Sequence, residues 1–195
     1  MRLAPGARLP KQFYGRPVVD VARDLIGCTL LHDGVGGRIV ETEAYHPTEP
    51  ASHGFVGKTA RNEVLFGEPG RAYVYFSYGV HNLFNVVCEA EGVGAGVLIR
   101  ALEPTAGIEL MRSRRAVERD RDLCSGPGKL AQALAITLED NGSSLLDGPI
   151  EVLAAREHEA RYEIAATPRI GISKATDLEW RFHAKGVEHV SGPRT

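Results

Sequence analysis

The hydrophobic pattern along the chain breaks into short apolar runs with few long helical repeats. Residues 28–32, 38–45, 73–77, 83–88 and 97–102 are dense in β-branched, aromatic and aliphatic side chains and predict strands. Residues 150–154, 162–165 and 180–183 predict three more. Asp33-Gly34 and Gly36-Gly37 are turn signals, so a hairpin leads into the strand over 38–45. A second hairpin has arms at 73–77 and 83–88 and a tip over 78–82. Pro104 ends the strand over 97–102. Helical patterns are fewer. One spans 21–26, capped by Asp20 and stopped by Gly27. Another runs from 105 to about 117, and a third leads out of Cys124-Ser-Gly-Pro-Gly-Lys129 through Ile136. Residues 1–15, punctuated by Pro and Gly, read as a loose lead-in. Strands joined mainly by hairpins, with about three helices, predict an α+β fold. It is a single domain over 1–195, with a curved, mainly antiparallel sheet, a few flanking helices and a protruding hairpin.

Within that pattern the polar exceptions carry the chemistry. In Arg38-Ile-Val-Glu-Thr-Glu-Ala-Tyr45, strict alternation places Ile39, Glu41, Glu43 and Tyr45 on one face and Val40, Thr42 and Ala44 on the other. Same-face neighbours lie roughly 6.5–7 Å apart. Two carboxylates and a tyrosine make a poor core, so this face is either a solvated surface or the floor of a site. Arg100 lies inside the apolar run Val-Leu-Ile-Arg-Ala-Leu and needs a partner, because an unpaired buried charge is costly; Glu43 or Glu41 can supply it. Residues 46–62 form a long polar loop containing His53. Such loops are functional or disordered. Tyr78 at a hairpin tip, where small polar residues are the norm, either folds back on its hairpin or points at a target.

Composition narrows the classes. The 195 residues, 43% hydrophobic and 25% charged, are ordinary for a globular protein. The formal net charge is −2, so binding to a polyanion must rest on a local basic face. Arg outnumbers Lys 18 to 5, which suits bidentate phosphate contacts or reflects a GC-rich genome. The cysteines, Cys28, Cys88 and Cys124, fit neither a zinc spacing nor a disulfide framework. No signal peptide and no run of 18 apolar residues is present. These features predict a soluble, intracellular protein without a membrane partner.

Taken together, Arg-Ile-Val-Glu-Thr-Glu-Ala-Tyr, the loop histidine, Tyr-Val-Tyr before Tyr-Gly, Val-Leu-Ile-Arg-Ala-Leu-Glu-Pro and Cys-Ser-Gly-Pro-Gly-Lys-Leu resemble the 3-methyladenine (alkyladenine) DNA glycosylases of the compact bacterial type. The resemblance spans about residues 22–182. It implies a monomeric, monofunctional base-excision enzyme without metal or cofactor, bound to double-stranded DNA through the minor groove. Carried over by position, it implies Glu43 as the base that activates water and Arg100 as the group orienting both. It implies Tyr45, His53 and Tyr75 as pocket walls, and Asn85 as the residue rejecting normal guanine. Tyr78 would be the intercalating wedge, and Lys129 and Lys174, near the Gly171 turn, would contact the DNA backbone. The tip lacks a second tyrosine, and the segment after Arg169 diverges from mammalian members. Three rival readings are a binding module with a degenerate site, a metal hydrolase using Glu41, Glu43, His46 and His53, and an RNA-acting enzyme of similar fold.

Overall fold

A computed structural model describes residues 4–77, 79–155 and 162–192. Its organising element is the long strand β2 (Val35–Tyr45), to which three other strands pair. β1 (Thr29–His32) lies along its first half and β8 (Arg181–Ala184) along Glu41–Glu43. β5 (Ala95–Ala106) covers its opposite edge. Beyond β5 come β4 (His81–Cys88) and β3 (Ala72–Ser77), beyond β1 lies β6 (Ile150–Leu153), and β7 (Ile164–Thr167) pairs with β8. Every pairing is antiparallel. The result is the predicted α+β architecture, one curled antiparallel sheet with a few helices.

The β1–β2 turn uses Asp33 and Gly34, both at positive φ (50° and 77°), as a two-residue hairpin requires. Gly36 and Gly37 are not part of the turn. They are strand residues, and a Cβ on either would lie about 2 Å from a carbonyl oxygen, of Leu30 or of Glu103. Only glycine permits that approach.

Alternation along β2 also differs from the expected pattern. The β2–β5 register shifts between Ile39 and Glu41, and again between Glu41 and Thr42. The first shift leaves Val40 extra on β2 and the second leaves Arg100 extra on β5, and the bulge at Val40 breaks the two-residue period. Ile39 therefore joins the main core with Ala44, while Val40 packs in a separate cluster with Ala101, Ala184 and Val190. Glu41 and Glu43 keep the site side without Ile39.

The helices are short. α1 (Lys11–Tyr14) lies within the supposed lead-in, where Leu9, Phe13 and Tyr14 are buried and Arg8 bridges to Leu153. Residues 1–15 are thus built into the core from Leu9 on, because these three apolar side chains have a sheet to cover. α2 (Val18–Asp24) begins before Asp20; its first free N–H, from Val18, donates to the distant carboxylate of Glu89 (2.9 Å). β5 continues through Pro104, which pairs with Gly37, and α3 (Ile108–Arg115) starts only afterwards. α4 (Asp120–Leu123) and α5 (Pro127–Leu134) follow, with Pro127 at the start of α5 where its missing N–H costs nothing. The strand expected over 162–165 is shifted to β7. Leu130, Ala133 and Leu134 of α5 and Met111 of α3 cover the sheet's main core.

Candidate functional site

Register alone assembles the floor of the site. Tyr73 pairs with Asn85, Asn85 with Leu98, Leu98 with Glu43, and Glu43 with Arg181. Directly opposite residues of antiparallel strands project to the same side, so one rung crosses β3, β4, β5, β2 and β8. Above it opens a cavity of about 810 Å³. Its walls include Tyr45, His53, Tyr73, Tyr75, Asn85 and Arg100, and the turn over 170–174 closes its far side.

Glu43 is fully buried, and three donors hold its carboxylate. Oε2 accepts from the Tyr45 hydroxyl (2.8 Å) and from Nη1 of Arg100 (3.2 Å); Oε1 accepts from the Ile170 backbone N–H (2.7 Å). Arg100 and the Ile170 N–H can only donate, and the Tyr45 hydroxyl is placed to donate as well, a set that suits a carboxylate. Glu43 does not itself border the cavity, whereas Tyr45, Arg100 and Ile170 all do. Burial, then the charge of Glu43 and its hydrogen bond, push the Tyr45 phenol far up, so it remains a neutral donor. Arg100 loses hydration on burial, which opposes its charge, but Glu43 and Glu41 outweigh this and raise its pKa.

Glu41 has a different task. Its side chain is completely buried, and Oε1 accepts from Nε of Arg100 (3.0 Å), Nε of Arg181 (2.7 Å) and the Ser191 hydroxyl (3.0 Å). Oε2 takes the Ser191 N–H (2.6 Å). Arg100 in turn donates from Nη2 to the Ser191 hydroxyl (3.1 Å). Arg100 thus bridges both carboxylates that the sequence offered as alternative partners.

His53 and Tyr73 meet at 3.1 Å through Nδ1 and the phenol oxygen, and the His53 ring contacts Tyr75 edge-on at 4.5 Å between centroids. His53 as a residue remains exposed to solvent. Partial burial against these rings, then the charge of Arg61, lower its pKa, which favours the neutral ring. Asn85 donates from Nδ2 to the Tyr73 carbonyl (3.2 Å), which fixes its amide at the cavity wall. Lys129, at 3.2 Å from the Ser125 hydroxyl, and Lys174 both line the cavity, as does Arg61, which bonds the Phe76 carbonyl. Among the described residues no carboxylate pairs with these three cations. Tyr78 lies outside the described residues; beside it Phe76 and Val80 are exposed.

The expected set is therefore gathered in one place, Tyr78 excepted. Sequence reading missed Tyr73, although Tyr-Val-Tyr puts it on the same face as Tyr75. It also missed Glu49, Arg169, Arg181, Ser191 and the Ile170 N–H, for which no local signal exists. The carboxylates and histidines of the metal-hydrolase reading do not converge: His46 faces Glu89 (3.4 Å) and Thr48, while His53 faces Tyr73. No cluster of three or more potential metal ligands occurs among the described residues. None of the described helices is long and apolar enough to cross a membrane.

A buried carboxylate–arginine pair thus lies beneath an aromatic cavity with a cationic margin. Comparison with known sequences gives the class. Residues 12–188 match the family model described as methylpurine-DNA glycosylase. A protein of Rhodopseudomonas palustris strain BisB18, provisionally named 3-methyladenine DNA glycosylase, is 57% identical over 188 residues, covering 96% of this chain and 92% of its own. Similarly named proteins are 53% identical in Nitrosospira multiformis (94% of each chain) and 50% identical in Carboxydothermus hydrogenoformans (94% and 98%). The chain belongs to the methylpurine-DNA glycosylase family. It is a monofunctional DNA glycosylase, a DNA-repair hydrolase of N-glycosyl bonds.

Proposed function

We propose that the enzyme flips alkylated or deaminated purines out of duplex DNA into this cavity and hydrolyses the N-glycosidic bond, leaving an abasic site. The substrates are 3-methyladenine and 7-methylguanine, with hypoxanthine and ethenoadenine as neutral extensions. The observation that carries this reading is the buried side chain of Glu43, held by three hydrogen-bond donors under an aromatic cavity of about 810 Å³. That volume lies in the range that encloses a small ligand, roughly 300–1,000 Å³.

A base inside a duplex cannot be reached, so flipping must come first, at a cost of a few kcal/mol. Tyr78 acts as the wedge that fills the gap from the minor groove, between exposed Phe76 and Val80. Tyr45, Tyr75 and neutral His53 enclose the base. Stacking on aromatic rings is worth roughly 1–3 kcal/mol per base, and an N3- or N7-alkylated purine, being cationic, gains further from the π faces. Asn85, its amide held at the cavity wall by the Tyr73 carbonyl, is assigned the rejection of normal guanine. Arg61, Lys129 and Lys174 receive phosphates.

Bond cleavage sends the glycosidic electron pair to the departing purine, which leaves neutral if it was alkylated. The sugar becomes oxocarbenium-like, as in other glycoside cleavages. Glu43 stabilises that cation by its charge, takes a proton from the attacking water, and the hydroxyl adds to C1′. Arg100 orients the carboxylate and the water. Since Glu43 is screened from the cavity by its three donors, water reaches it by displacing one of those on Oε2, the Tyr45 hydroxyl or Nη1 of Arg100, while the Ile170 N–H holds Oε1 in place. A neutral purine also needs a proton on the leaving base. Among the described residues no amine hydrogen-bonds Glu43, in keeping with direct hydrolysis.

The test is excision from duplexes bearing one 3-methyladenine, 7-methylguanine, hypoxanthine or ethenoadenine, with abasic sites then cleaved chemically. Wild type releases the alkylated bases in a chelator, and Glu43→Gln releases none while binding a duplex with a tetrahydrofuran abasic analogue within about threefold of wild type. Excision by Glu43→Gln within tenfold of wild type would remove Glu43 from the chemistry.

A further inference from the structure

Arg169 has no solvent-exposed side-chain surface, an unusual condition for a guanidinium. Its Nη1 donates to the Ala44 carbonyl (2.9 Å) and to Oε1 of Glu49 (2.7 Å). Its Cζ lies 4.6 Å from the centre of the Tyr45 ring and 5.6 Å from that of Trp180. Glu49 is buried as well, and its second oxygen, Oε2, accepts the Ala51 N–H (2.7 Å). The ion pair therefore joins three pieces of the cavity. Ala44 and Tyr45 are the end of β2 that carries Glu43. Glu49 and Ala51 belong to the loop that delivers His53. Arg169 opens the turn over 170–174, whose first residue gives its N–H to Glu43.

From these contacts we infer that the Arg169–Glu49 pair is a clip that positions the catalytic carboxylate, the Tyr45 wall and the His53 loop relative to one another. Neither residue touches the reacting atoms; both are positioning residues. A buried pair of this kind adds little net stability over a well-packed apolar pair. Its retention makes sense where three segments must be held to a fraction of an ångström. Without the guanidinium, the Ile170 turn loses its tie to β2, and the N–H aimed at Glu43 loses its fixed position. Misplacement by about 1 Å can cost around 10²-fold in rate.

This clip presupposes the glycosylase reading, so the experiment separates the two. Arg169→Met, Arg169→Lys, Glu49→Gln and the Glu49→Gln/Arg169→Met double variant are compared with Glu43→Gln. The readouts are single-turnover release of 7-methylguanine at saturating enzyme, Kd for a duplex with one tetrahydrofuran site, and Tm. The expected result is a rate about 10²-fold lower for Arg169→Met, with Kd within threefold of wild type. Arg169→Lys should recover part of that rate, and the double variant should be no slower than Arg169→Met alone, since the pair acts as one unit. A rate within threefold of wild type in Arg169→Met overturns the clip, as do equal losses in rate and affinity, or single effects that multiply in the double variant. Should Arg169→Met fail to fold, Arg169→Lys and Glu49→Gln decide by the same rate-against-affinity split. An active Glu43→Gln would instead sink the catalytic reading itself.

Discussion

Glu41→Gln offers a sharp trial of how the two strand carboxylates divide their work. In the wild type, Glu41 receives four hydrogen bonds, two of them from the guanidinium groups of Arg100 and Arg181. A glutamine can keep its oxygen at the Oε1 position, but its NH2 then faces the Ser191 N–H, donor against donor. The local charge also changes by one unit, and one guanidinium is left in excess within a buried cluster. Breaking a buried ion pair on one side costs about 3–5 kcal/mol. For a chain of this length each kcal/mol moves Tm by about 2–4 °C, so Tm should fall by about 6–20 °C. Glu43→Gln leaves both guanidinium groups on Glu41 but sets its NH2 against Arg100, so its Tm should fall by less than that of Glu41→Gln, while excision is abolished. Thermal melting by circular dichroism, with single-turnover excision well below the melt, measures both. A Glu41→Gln protein that melts with the wild type, or a Glu43→Gln protein that melts below Glu41→Gln, would refute this division of labour.

Further expectations concern the cavity margin. Duplex affinity should fall steeply with salt despite the net charge of −2, and Lys129→Ala should lower the slope of log K against log salt by about 0.9, one phosphate contact; an unchanged slope would remove Lys129 from the DNA face. The lowered pKa of His53 means that the unfolded chain takes up this proton first. Its contribution is complete above the ordinary value of 6.5 and is lost as pH falls through that value toward the folded pKa. Urea midpoints at pH 7.5 and 5.5 should therefore drop more for wild type than for His53→Gln. Tyr78→Ser should slow excision strongly in stable duplexes and little in single strands, where flipping is already cheap; equal losses on both would deny it the wedge role.

Much of the fold was legible because its signals are local. Asp33-Gly34 between two apolar runs gave the first hairpin, and Arg100 inside an aliphatic run announced that a carboxylate must meet it. The errors arose where a long-range event overrides a local rule. The bulge near Val40 breaks an alternation that looks unbroken in sequence, and the close approach of Leu30 and Glu103, invisible locally, explains why Gly36 and Gly37 are strand residues. Leu9, Phe13 and Tyr14 looked like part of a tail because the sheet they cover comes later in the chain. The remainder of the site was hidden for one of two reasons. The Ile170 N–H carries no side-chain signature, while the Arg169–Glu49 and Glu41–Ser191 contacts join segments 120 and 150 residues apart.

Those separations bear on folding as well. The β3–β4 hairpin closes between near neighbours, whereas Glu41 and Glu43 acquire most of their partners from segments 127 to 150 residues downstream. Distant closures sacrifice more chain entropy before any contact compensates. The catalytic cluster should therefore be among the last parts to assemble and the first to open. A denaturant titration should show excision lost before the bulk of the sheet's circular dichroism, and amide exchange at Ile170 and Ser191 should run ahead of exchange at β4 and β5.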